Sequence, residues 1–314
     1  MPAIHVKKIH SLTGHRDCVY TLASSDSISQ FFSGGGDGMV VRWDLNNPEE
    51  GELIAKLPNS VYAMYLLPDS DLLIAGHNYE GIHILNWKDK KEISSLQVTK
   101  AAIFDIKSFE RDLLIATGEG MLAIVDLDQM AIKKKLTVSD QNARVLAINP
   151  IVGEVAVGFS DYFIRVFSLH DYKLKCEFQA HQNSVFALGY TPDFQFLISG
   201  SRDARLKVWD VTSGYKQTAE VAAHLFAINN LVFSPSGEYF ATASMDKSIK
   251  IWKADELKLL KVIDKGRHAG HGTSVNKLLW TSFNDQLISA SDDRTISVWD
   301  IKFENSPGSA QGEG

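Results

Sequence analysis

The chain has 314 residues, of which 45% are hydrophobic and 22% charged, with a formal net charge of −6. That balance fits a globular protein with a sizeable core, and the acidic excess argues against a general nucleic-acid binder, which carries a basic stripe. Two distant cysteines, Cys18 and Cys176, make no disulfide framework; residues 1–8 hold no apolar signal segment, and no run approaches a membrane span of ~20 apolar residues, so a cytoplasmic protein is expected.

In chain order, residues 4–12 come first and have no neighbouring segment to pair with. At His15 a pattern begins that returns at His181, His224 and His271. A Ser or Thr follows 18 residues later in each copy (Ser33, Ser199, Thr242, Ser289), an aspartate at 22 (Asp37, Asp203, Asp246, Asp293) and a tryptophan at 28 (Trp43, Trp209, Trp252, Trp299). A fixed period of this kind outranks element-by-element assignment. The 166 residues between Trp43 and Trp209 leave room for four periods of about 42, so three degenerate copies are expected inside them. The strand motif Val40-Val41-Arg42-Trp43 recurs there as Ile82–Leu85, Leu122–Val125 and Phe163–Phe167. A β-branched residue opens every copy: Val19, Val61, Ile103, Val145, Val185, Ile228 and Val275, which makes seven. Short apolar runs alternate with turn clusters such as Ser234-Pro235-Ser236-Gly237, and no long segment shows helical periodicity. Four short strands per repeat, seven times over, predict an all-β, seven-bladed propeller of four-stranded antiparallel blades, a single domain over residues 1–303.

The Gly-His and Ala-His pairs ending at His15, His181, His224 and His271, with Trp43-Asp44, Trp209-Asp210 and Trp299-Asp300, resemble the WD-repeat family over almost the whole chain. The resemblance implies that His, Ser/Thr, Asp and Trp of one blade form a buried hydrogen-bond network, for which the donors and acceptors suit one another. It also implies that residues 4–12 supply the outer strand of the last blade, which ends at Trp299-Asp300-Ile301-Lys302 with no sequence left for it. Closing the ring in this way removes strand edges. Repeats two to four depart from the pattern: repeat two reads Leu57, Ala75, Tyr79 and Leu85, repeat three has Glu119 and Val125, and repeat four keeps Asp161 but has Phe167. These blades are expected to rely on apolar packing. Residues 304–314, rich in Gly, Ser, Gln and Glu, read as a disordered tail.

The chemistry-bearing residues mostly have structural explanations. His268 and His271 form a His-x-x-His, but no Cys or carboxylate cluster accompanies them, so no metal is expected. The four Ser-His-Asp sets repeat with the blades, which marks architecture, because catalysis needs one constellation. Gly34-Gly35-Gly36-Asp37-Gly38 lacks the Lys-Ser/Thr of a phosphate loop and reads as a tight turn. No catalytic residue and no cofactor is assigned.

In the family the loops before each opening strand and the turns holding Asp37, Asp203, Asp246 and Asp293 share one face, the usual binding face. The residues that follow the opening positions are Tyr20, Tyr62, Phe104, Leu146, Phe186, Asn229 and Asn276, four of them aromatic. Arg16, Lys100, Arg144 and Arg202 lie nearby. A protein- or peptide-binding face is therefore expected around Tyr20, Tyr62, Phe104, Phe186, Arg16 and Asn276, with Arg144 and Arg202 selecting acidic groups. The competing reading packs these rings between blades. The inserted segment Lys265–His268, in the longest inter-blade connection, is a second candidate surface. Two other functions compete with this one: an enzyme using Asp105 and Lys277 in the channel, and an RNA adaptor using the basic residues and aromatics, which the net charge disfavours. The sequence favours a scaffold, monomeric by itself within a larger complex.

Overall fold

The computed structural model describes residues 4–303, so the tail read as disordered, 304–314, lies outside the described residues. The β-rich runs form 28 strands and the inserted segment forms one helical turn, Lys265–His268. The strands pair antiparallel into seven four-stranded sheets. Six sheets use four strands consecutive in sequence; the seventh has the strand Ile4–Leu12 outside Ile296–Phe303, with Ile4 opposite Phe303 and Leu12 opposite Ile296. The innermost strands are Val19–Ser24, Val61–Leu66, Ile103–Phe109, Ala143–Asn149, Val185–Tyr190, Ile228–Phe233 and Val275–Trp280. Each packs against the next, and the last returns to the first, which closes a seven-bladed ring.

The apolar core lies between blades. Val40 and Phe32 of blade one meet Val61, Leu73 and Leu85 of blade two, and Phe31 and Trp43 meet Ile288 and Ile296 of blade seven. Middle strands are therefore apolar on both faces, as in Leu113, Leu114 and Ile115, all fully buried, while an outer strand such as Ala131–Thr137 alternates between exposed and half-buried residues. Among the described residues no helix is long and apolar enough to cross a membrane.

One assignment shifts with the observed register. Blade four opens at Ala143, which pairs with Phe159, and not at Val145. Leu146, expected at the channel mouth, is instead 2% exposed, and Arg144 takes that place. Val145 fits the β-branched pattern, but the pairing is decided by the bulge that follows Ala143.

Candidate functional site

In every blade the innermost strand slips register at its second residue. The shifts fall between Val19 and Thr21, Val61 and Ala63, Ile103 and Asp105, Ala143 and Val145, Val185 and Ala187, Ile228 and Asn230, and Val275 and Lys277. A β-bulge leaves one residue unpaired and re-aims its side chain. The seven bulged residues are Tyr20, Tyr62, Phe104, Arg144, Phe186, Asn229 and Asn276, one per blade, and together they line a depression of about 370 Å³ at the channel mouth.

The ring side chains touch in sequence. Tyr20 stacks on Tyr62 with centroids 4.8 Å apart, and Tyr62 meets Phe104 at 6.1 Å. The Arg144 guanidinium lies 4.2 Å from the Phe104 centroid and 5.3 Å from that of Phe186, a cation sandwiched between two rings. All five are half-buried, between the exposed and the interblade-packed readings: they cover one another while lining the depression. Arg144 donates to Ser160 Oγ at 2.9 Å, and among the described residues no carboxylate pairs with it. Burial, aided by nearby Arg202, pushes its pKa below the usual guanidinium value. On the other side of the mouth, Asn276 donates to Asp292 Oδ1 at 2.7 Å and to the Val19 carbonyl at 3.0 Å, bracing blade seven against blade one. Asn229 does the same toward blade seven through Ser274 and the Val275 carbonyl. Arg16 and Arg202 are exposed and do not line the depression, nor does exposed Lys100.

Sequence reasoning missed an apolar outcrop on the same face. Leu225 is 82% exposed, Phe226 61% and Met245 50%, and Met245 lines the mouth. The signal was present: Leu225-Phe226 occupy the loop positions that hold Arg16-Asp17 in repeat one and Gln182-Asn183 in repeat five.

Below the mouth the channel is lined by Asp105, Lys107 and Lys277 among mostly apolar side chains. Both Asp105 oxygens are engaged, Oδ1 by the Ile106 N–H at 3.0 Å and Oδ2 by the Leu146 N–H at 2.8 Å, so the carboxylate ties blade three to blade four. Burial pushes the Lys277 pKa down, with Asp105 opposing. The Cys18 thiol is pushed up by burial and by Asp292, away from the reactive thiolate.

The four repeated polar sets assemble with fixed roles. In blade five Trp209 donates to Ser199 Oγ at 2.8 Å, Ser199 meets His181 Nε2 at 2.8 Å, and His181 Nδ1 meets Asp203 at 2.9 Å. The indole can only donate, so the hydroxyl accepts from it and donates onward to Nε2; His181 is then the Nδ1–H tautomer, donating to the carboxylate. The same chains run through Trp43, Ser33, His15 and Asp37; Trp252, Thr242, His224 and Asp246; and Trp299, Ser289, His271 and Asp293. Burial alone would raise the Asp203 carboxyl; the His181 contact and the backbone N–H groups of Gln182 and Arg205 outweigh it and hold it at about 2. Asp37, Asp246 and Asp293 are likewise held below the ordinary carboxylate value. His271 is thus committed to its blade, and His268 is not brought into a ligand cluster with it. Asp264 caps the inserted turn by accepting from the Arg267 N–H at 2.8 Å, so Lys265–His268 is a folded corner rather than an open loop.

Blades two to four do not rest on apolar packing alone. Blade four keeps a substitute chain in which Ser139, 22 residues before Asp161, donates to it at 2.7 Å, and Arg165 bridges Asp161 and Glu177. Blade three pairs the Thr99 hydroxyl with Glu119. In blade two His83 meets Glu92 and faces the His77 ring; His77 lies two residues beyond Ala75 and His83 two before Leu85, and burial pushes the His77 pKa down.

Comparison with known proteins follows the same division. A family model described as WD domain, G-beta repeat matches residues 6–44, 172–210, 215–253 and 262–300, the four repeats that carry the complete network. The chain is similar to a Mus musculus periodic tryptophan protein 2 homolog, 23% identical over 235 residues, which cover 66% of this chain and 24% of that protein. It is similar to the Drosophila melanogaster protein groucho, 23% identical over 215 residues, 65% of this chain and 29% of that protein. A Danio rerio p21-activated protein kinase-interacting protein 1-like is 22% identical over 205 residues, 65% of this chain and 55% of that protein. The matched segments span from about a quarter to just over half of these relatives. With four family-model matches, seven closed blades and the repeated His-Ser/Thr-Asp-Trp chains, this protein is a member of the WD-repeat family, a seven-bladed β-propeller.

Proposed function

We propose that this propeller is a non-catalytic interaction module that holds a protein or peptide partner over its channel mouth. The observation that carries the reading is the unbroken arc Tyr20–Tyr62–Phe104–Arg144–Phe186, aromatic anchors around a cation with no carboxylate partner among the described residues. Aromatic and arginine side chains in partly desolvated positions are the usual anchors of interfaces. The partner is a segment that places an acidic group on Arg144, within reach of Arg202, and an apolar side chain on Leu225, Phe226 and Met245. One relative is named for interaction with a protein kinase, which supports a protein partner. The engaged oxygens of Asp105 support a bracing rather than a proton-transfer role. Free Cys18 and Cys176 fit the reducing cytoplasm.

The test is selection from a displayed peptide library on the intact ring, followed by affinity measurement for Arg144→Ala and for a Tyr62, Phe104 and Phe186 triple-alanine variant. Selected peptides should carry Asp or Glu beside an apolar residue. Both variants should lose binding at least about tenfold, a change of 1.4 kcal/mol, with melting still cooperative. Equal binding by wild type and both variants would place the interface elsewhere, and selective retention of RNA with a steep salt dependence would replace the reading.

A further inference from the structure

Blade two contains a pair of buried imidazoles that face each other through their Nε2 atoms. His77 ends the strand Leu72–His77, and His83 lies in the next strand, Gly81–Asn86; the turn between them carries Glu80. The pairing of His77 with Gly81 and of Ala75 with His83 sets the two rings diagonally across the hairpin. Their Nε2 atoms are 2.5 Å apart while the ring centroids are 4.6 Å apart. The nitrogens therefore lie near the line joining the centroids, and the rings meet edge to edge, nitrogen to nitrogen.

The other nitrogens settle the proton positions. His77 Nδ1 lies 2.7 Å from the Asn78 carbonyl, and His83 Nδ1 lies 2.8 Å from a Glu92 carboxylate oxygen. Both partners can only accept, so both Nδ1 atoms carry hydrogen, and in the neutral rings both Nε2 atoms present lone pairs to each other. Two lone pairs at that distance repel. A Glu80 carboxylate oxygen stands 3.8 Å from one Nε2 and 4.0 Å from the other, and among the described residues no Lys or Arg pairs with Glu80 or Glu92.

We propose that His77 Nε2, His83 Nε2 and the Glu80 carboxylate bind a divalent transition-metal ion of the Zn²⁺ class. Zn²⁺ takes two imidazoles, a carboxylate and water in tetrahedral geometry, with ligand atoms roughly 3.3 Å apart for bonds of about 2.0–2.1 Å. The triangle of 2.5, 3.8 and 4.0 Å brackets that spacing, so small side-chain rotations suffice: the rings part and Glu80 closes in. The histidine side chains are 0% and 9% exposed and Glu80 is 52% exposed, which leaves one side open for ion entry and for a water ligand. The Asn78 carbonyl and Glu92 are the outer partners that orient metal-binding imidazoles and fix their tautomers. The ion stitches the two middle strands of a blade that lacks the family's polar chain.

The experiment uses the tag-free full chain stripped with a chelator and titrated with Zn²⁺ by calorimetry. Co²⁺ serves as an optical probe of coordination. One saturable ion per chain, a four-coordinate Co²⁺ spectrum and a melting temperature that rises with Zn²⁺ are expected. His83→Ala should abolish all three. Glu80→Gln, at a half-exposed turn, should leave the metal-free melt unchanged while weakening Zn²⁺ at least about tenfold, and Glu92→Gln should weaken it by about 10–100-fold as an outer partner. Absence of saturable uptake would overturn the site, as would uptake unchanged in His83→Ala. So would a proton bridging the pair, seen as an imidazole resonance that titrates with pH and is unmoved by Zn²⁺.

Discussion

Blades one, five, six and seven solve the problem of a buried polar blade centre in one way, and blades two, three and four in three other ways. In the first group each histidine, hydroxyl, aspartate and indole has its partner, so every chain is complete from Trp to Asp. In the second, a hydroxyl–carboxylate pair, a serine–aspartate–arginine chain and a histidine pair stand in place of it. The sheets and bulges are nevertheless alike in all seven. The polar chain is therefore one means of fixing a blade and not a condition for its fold; the condition common to all is apolar packing between neighbours.

Removing residues 1–12 should produce the largest effect, because it leaves the Ile296–Phe303 edge bare and strips Ile4 and Leu12 from two interblade clusters. Scanning calorimetry should show a collapse of the melt greater than for any single substitution, and an unchanged melt would mean the closing strand is dispensable. Next, Ser199→Ala orphans the buried Trp209 N–H and His181 Nε2 and should cost about 2–4 kcal/mol in chemical denaturation. Ser139→Ala leaves Asp161 with Arg165 and the Phe163 N–H and should cost about 1 kcal/mol or less. Equal costs would erase the distinction between the two groups of blades. The acid response is spread over a pH window rather than lost at once. The Asp203 carboxyl sits at about 2 in the fold against an ordinary 3.8, so its contribution is complete above pH 3.8 and is lost as pH falls toward 2. Asp203→Asn, though less stable at neutral pH, should flatten stability against pH across that window, measured by denaturation at each pH; an unaltered slope would assign the acid loss elsewhere.

The ring and its four polar chains were legible in the sequence because His15, Ser33, Asp37 and Trp43 recur at invariant offsets, and a repeated offset survives any uncertainty about strand ends. The closing strand was legible from what the last repeat lacked. Arg144 was noticed as a nearby charge but not as the ring member of blade four, because Val145 matched the apolar pattern and a bulge inserts a residue that no pattern marks. The pair His77 and His83 falls outside the four repeated offsets, because a substitute network need not keep the geometry of the one it replaces. The aromatic residues of the mouth were identified, but their mutual stacking depends on how far each bulge turns its side chain.

The pairing of Ile4–Leu12 with Ile296–Phe303 also carries a consequence for synthesis. Ile4–Leu12 leaves the ribosome long before Ile296–Phe303 and must wait for it, and until the two pair the seventh sheet offers an open edge. At high local concentration that edge can take the equivalent strand from another copy, because the intramolecular and intermolecular pairings are identical. The ring's latch is thus also its route to swapped dimers, and refolding at low protein concentration should favour the closed monomer over the exchanged pair.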